Sequence, residues 1–252
     1  MELFWETSET VPAGAGFRYF DAEHIFCLSI SLVVVLSVCY IYHILSDSKR
    51  TAMRMLLLIL IFAAELFKQI PLFLLGQWNI GYLPFHLCSV NMFLILWHAI
   101  RPCSLLDNYL YAVCMPAAIA ALLFPGWNDL PLWNYISVHS WILHILLICY
   151  PLALTIKGDM KPEFKEAWKV LTFLLGLTVF FFFFDEYLHR IGIEVNFFFL
   201  RWVPADNPVY VFKTLWGSHL YGLLLIAVMA ILLMYTLLYL IRKIANLKNR
   251  KS

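Results

Sequence analysis

"LLLIAVMAILLMYTLLYL", residues 223–240, runs for 18 residues without a charge. As a helix rising about 1.5 Å per residue it would reach about 27 Å, close to the ~30 Å hydrocarbon core of a bilayer. Working outward along the chain, comparable apolar runs give seven spans, at about 24–45, 53–76, 83–100, 107–125, 132–157, 165–187 and 209–241. The composition agrees: 63% of the 252 residues are hydrophobic and only 13% charged, with a mean hydropathy of +0.80. Such a chain is an all-α, polytopic membrane helical bundle rather than a soluble domain. Linkers rich in Pro, Gly or Ser are lacking and no repeat is evident, so residues 1–252 are expected to form one integral membrane domain.

Lys and Arg placement sets the expected orientation. Lys49, Arg50 and Arg54 follow the first span and Arg101 the third. Lys157, Lys161, Lys165 and Lys169 surround the fifth loop, and Arg242, Lys243, Lys248, Arg250 and Lys251 close the chain. The alternate loops hold only Arg18, Arg190, Arg201 and Lys213, which places the N-terminus outside and the C-terminus in the cytoplasm. The first 23 residues carry Glu2, Glu6, Glu9, Asp21 and Glu23 against Arg18, unlike the basic start of a cleavable signal. The first helix is therefore expected to stay in the mature chain, a multi-pass protein of the cell membrane.

A formal charge of +2 without a clustered basic face argues against nucleic acid as a partner. Six cysteines sit in or beside apolar segments with no C-x-x-C pair, so neither a disulfide framework nor a zinc site is signalled. Trp78, Tyr82, Trp127, Trp133, Tyr135, Trp202 and Tyr210 fall at outer span ends and read as interfacial anchors. Phe180 to Phe184 read as lipid-facing or packing bulk. The segment "RIGIEVNFFFLRWVPADNP", 190–208, is amphipathic and is expected along the outer interface.

The polar residues inside the spans are unevenly distributed. Glu65, Lys68 and Gln69 fall in the last turns of span two, His86, Cys88 and Asn91 in the first turns of span three, His139 and His144 in span five, and His219 in span seven. A charge facing lipid costs about 2.5–3.5 kcal/mol on insertion scales, so these groups should face a shared pocket in the outer half of the bilayer. Each also has a plainer reading. Glu65 and Lys68 share a helix face, and an ion pair holding helices together fits as well as substrate binding. His144 and Ser140, four residues apart, suit a bond to each other or to a backbone carbonyl.

Cys88 differs from the other cysteines by its company. A helix N-terminus and a nearby imidazole both favour the thiolate that acts as nucleophile. Asn91, three residues on and about 60° around the helix, shares its face. His86 is about 200° around and points away, so the better base is a histidine on another helix, and His139 matches Cys88 in depth.

"LPFHLCSVN" (83–91), "AELFKQ" (64–69), "VHSWILH" (138–144) and "NFFFL" (196–200) together resemble the YwaF-like integral membrane protein family, related to transmembrane protein 164, a cysteine acyltransferase of ether phospholipids. The resemblance implies that Cys88 accepts the acyl group, with His139 as base and His144 its rival. "LWGSHLYG" (215–222) departs from the pattern expected before the last helix, which leaves His219 without an implied role. The expected function is a lipid acyltransferase or esterase working through an acyl thioester, with Asn91, Gln69 or Lys68 donating to the oxyanion. Its partner would be a membrane phospholipid or acyl lipid, and no cofactor or metal is called for. The alternative is a transporter or sensor of a small polar solute using the same pocket; ligation of a haem by two of the histidines is a more remote one.

Overall fold

The structure is a computed structural model that describes residues 3–205 and 207–249, with side chains described as far as 244. Arg250 and Lys251, and the side chain of Lys248, lie outside the described residues. These form helices α1 (Ala22–Ile44), α2 (Asp47–Leu74), α3 (Leu87–Ile100), α4 (Ser104–Tyr109), α5 (Met115–Leu123), α6 (Tyr135–Lys157), α7 (Ala167–Arg190), α8 (Tyr210–Trp216) and α9 (His219–Asn249), and no strand. A π-helical turn, Leu110–Cys114, fuses α4 and α5 into one span, Ser104–Leu123.

Among the described residues six helices are long and apolar enough to cross a membrane, and α3, with 14 residues, makes a shorter seventh segment. At about 21 Å, α3 cannot cross the hydrocarbon alone. The expected span 83–100 begins late because Pro84 lacks an amide and holds Leu83 extended (ψ 144°). The residues before α3 are therefore loop. The expected span 209–241 is broken at Gly217, whose φ of +75° caps α8 in the left-handed region. Beyond the break, a Cβ on Gly222 would meet the Phe212 ring at 2.2 Å, so α8 folds closely against the start of α9.

Helix α6 is the hub. Its most apolar window is 72% buried, against 22% for α1 and α9 and 11% for the α7 span, which turn their surfaces to lipid. Contacts between the ends of the helices sort them into two layers. At one end Asn134 donates to the carbonyls of Leu3 and Glu6, and His24 reaches the Leu122 carbonyl. At the other, Tyr42 donates to Asp159, Lys157 to the His43 carbonyl, and Tyr235 to Asn108. The seven segments alternate between these ends, so the chain enters at one and leaves at the other. The second end holds the Lys- and Arg-rich loops, which the positive-inside rule reads as cytoplasmic.

The segment 190–208 has one face packed inward and one exposed, with Ile191, Phe199 and Trp202 on the exposed side. Val195, Phe197, Phe198, Leu200 and Val203 are buried, and Phe181 and Leu188 of α7 join most of them in one cluster. Phe197 and Phe198 turn inward while Phe199 is exposed, and Phe198 and Phe199 adopt positive φ (58° and 56°) at this reversal. Asn196 holds the turn, its side chain accepting from the Arg201 amide and donating to the Trp202 carbonyl.

Candidate functional site

Glu65 lies on the face of α2 that meets α6, and its carboxylate is fully engaged. One oxygen accepts from Lys68 at 2.9 Å and from Gln69 at 2.7 Å; the other meets His139 Nε2 at 3.1 Å. The sequence spacing supplies the first two partners within one helix, and packing of α2 on α6 supplies the third. All three charged or ionisable groups are buried: Glu65 is 6% exposed, Lys68 9% and His139 4%. With Nε2–H donated to a carboxylate, the neutral imidazole presents Nδ1 as a lone pair. That nitrogen is buried and has no partner among the described residues. The arrangement is that of an oriented base: a carboxylate fixes the tautomer and would stabilise the imidazolium.

Gln69 ties this cluster to the loop before α3. Its amide also donates to the Tyr82 carbonyl at 2.6 Å, and its oxygen accepts from Trp78. Both ends of the side chain are used, which removes Gln69 as a free oxyanion donor. His86 is the N-cap residue of α3 but gives no side-chain cap, leaving the amides of Leu87, Cys88 and Ser89 without intrahelical acceptors. Its ring packs 5.3 Å from Phe197.

Cys88, at the second position of α3, is partly exposed and packs against the main apolar core, which includes Tyr109 and Cys114. Because α3 covers only about 21 Å, its start stops short of the end of the bundle that holds Asn134. Non-helical backbone at membrane depth is tolerated where protein or a cavity surrounds it, and residues 81–88 are all half-buried. The Cys88 thiol and His139 are not hydrogen-bonded to each other.

Asn91 is completely buried, and neither its oxygen nor its nitrogen has a partner among the described residues. The same holds for the hydroxyl of Tyr109, an aromatic that nothing in the surrounding apolar run singles out. His144 follows its plainer reading: Nδ1–H donates to the Ser140 carbonyl at 2.6 Å while the ring stacks on Trp127. His219 opens α9 and bonds to the Phe199 carbonyl at 2.9 Å, so it holds the phenylalanine turn rather than joining Glu65. No group of three or more His, Cys, Asp or Glu among the described residues is placed to hold a metal. An apolar groove of about 530 Å³ lies between α4 and α7, lined by Leu105, Trp168, Phe173 and Leu177. The ring of Phe173 meets Tyr109 edge-on at 5.1 Å.

Fold and site together define a polytopic helical membrane protein with a buried carboxylate–imidazole pair and a thiol at an uncapped helix start. Residues 19–237 match the TMEM164 family, and the chain belongs to it. Comparison with curated proteins and with solved structures gives no match.

Proposed function

We propose that the chain is a membrane-embedded lipid acyltransferase or esterase, with Cys88 as nucleophile and His139 as base. The observation that carries this reading is the Glu65–His139 pair, which leaves Nδ1 as a buried, unpartnered base on the helix next to the one bearing the thiol. The resemblance to a cysteine acyltransferase points the same way.

In the first half-reaction Nδ1 takes the thiol proton and the thiolate attacks an ester carbonyl of a membrane phospholipid. The C–S bond forms, and the oxyanion is met by the free amides at the start of α3. Collapse breaks the ester C–O bond, and the imidazolium returns its proton to the departing lipid alcohol. A second alcohol, or water, then attacks the thioester with His139 again as base. The groove between α4 and α7 supplies apolar surface for an acyl chain beside Tyr109. Closure of the gap between thiol and imidazole accompanies substrate binding, as hydrogen bonds of catalytic groups commonly tighten only in the bound complex.

The test is labelling of the protein in nanodiscs by an acyl-chain probe bearing a thiol-reactive electrophile. Labelling should vanish in Cys88→Ala and slow about 100-fold in His139→Ala. A Cys88 no more reactive than Cys27 or Cys149 would contradict the proposal, and solute binding at Glu65 and Lys68 would then be the function to assay.

A further inference from the structure

Two fully buried polar side chains without partners are not used by the chemistry above: Asn91, one turn beyond Cys88 on α3, and Tyr109, at the end of α4 in the apolar core against which Cys88 packs. An unpaired buried polar group costs stability that an apolar residue of the same shape would spare. Leu and Phe at these positions would pack as well, so the polar atoms point to a ligand that pairs them. Tyr109 is also where regular α-helix gives way to the π turn Leu110–Cys114. Such turns insert a residue and re-aim side chains, often at functional sites.

The unpaired atoms describe the missing partner. Asn91 offers a donor and an acceptor, and the Tyr109 hydroxyl can serve as either. An ester carbonyl only accepts, and would leave Asn91 Oδ1 unpaired. A hydroxyl both donates and accepts, and matches the set.

We propose that Asn91 and Tyr109 form the subsite for the hydroxyl of the lipid alcohol that leaves and enters at the Cys88 acyl thioester. This rests on the acyl-thioester reading and deepens it. Asn91 Oδ1 accepts from the alcohol O–H and Tyr109 donates to its oxygen, which holds that oxygen against the thioester carbonyl. When the alcohol attacks, its O–H swings from Asn91 Oδ1 to His139 Nδ1, which takes the proton; the C–O bond forms, the C–S bond breaks, and the departing Cys88 thiolate is reprotonated by the imidazolium. Water fills the subsite less well, because it lacks the lipid body that would fix it there. The subsite therefore favours transfer over hydrolysis.

The experiment separates loading from transfer. The protein in nanodiscs is loaded with a long-chain nitrophenyl ester, whose leaving group needs no alcohol site. It is then chased with a lysophosphatidylcholine or with buffer alone. Tyr109→Phe and Asn91→Leu should load within about twofold of wild type and hydrolyse at the wild-type rate, yet transfer to the lysolipid roughly 10- to 100-fold more slowly. Wild-type transfer by both variants would overturn the inference, and so would a parallel fall in transfer and hydrolysis, the mark of a structural water or a damaged fold. If the wild-type protein forms no hydroxylamine-labile adduct at Cys88, the thioester reading itself fails and the subsite with it. An adduct with unaltered variants sinks the subsite alone.

Discussion

Glu65 carries three partners on two oxygens in a setting where each lost partner leaves a buried charge. Removing one member of such a pair typically costs about 3–5 kcal/mol, whereas replacing both with apolar groups of similar volume is often neutral. Lys68→Met should therefore lower the melting temperature in detergent more than Lys68→Met combined with Glu65→Gln does. Equal losses in the two would show that the pair is not coupled. For reactivity the order reverses: Glu65→Gln removes the charge that stabilises the His139 imidazolium, so acyl-probe labelling of Cys88 should fall about 10- to 100-fold although the double variant is folded. At this scale the sequence was partly legible. Glu65, Lys68 and Gln69 announce themselves by helical spacing, and His144 by its carbonyl four residues back. The Glu65–His139 bond joins residues 74 positions apart and depends on how α2 rotates against α6. No local pattern encodes that, and Tyr109 is just another aromatic in an apolar run.

Element boundaries follow local chemistry. Asp21 caps α1 with both oxygens, one taking the His24 amide and the other the Arg18 amide, each at 2.8 Å. These backbone bonds hold its carboxyl below the ordinary carboxylate pKa. The cap's contribution is then complete above the unfolded carboxylate pKa and is lost as pH falls through the lower folded value. Asp21→Ala should cost about 1 kcal/mol and speed amide exchange in the first turn of α1 at neutral pH. An unchanged exchange rate would mean the cap is idle. Lengths of apolar runs gave most helices within a few residues, because the bilayer demands a minimum span. They failed where a single residue decides: Pro84 delays α3, Gly217 splits the last span, and the π turn leaves the hydropathy of Ser104–Leu123 unchanged. In the phenylalanine turn apolar residues suit either lipid or core, and the positive φ of Phe198 and Phe199 accompanies a split that buries Phe197 and Phe198 and exposes Phe199.

The whole molecule is a bundle arranged around α6, with the thiol-bearing helix starting short of one end and the charged loops gathered at the other. Cys103 is exposed in the loop between α3 and α4, at the charged end. A membrane-impermeant maleimide should therefore label it in inside-out vesicles and leave it unlabelled in right-side-out ones. The opposite result would invert the orientation read from the Lys and Arg loops. The central claim is that Cys88 carries the acyl group between lipids, and the most direct measurement is the mass of the intact protein after incubation in nanodiscs with a phospholipid of one defined acyl chain. The account predicts a mass increase equal to that acyl group, reversed by neutral hydroxylamine, mapped to the peptide containing Cys88 and missing in Cys88→Ser. An unmodified protein that nonetheless turns over lipid, or an adduct on another residue, would contradict it.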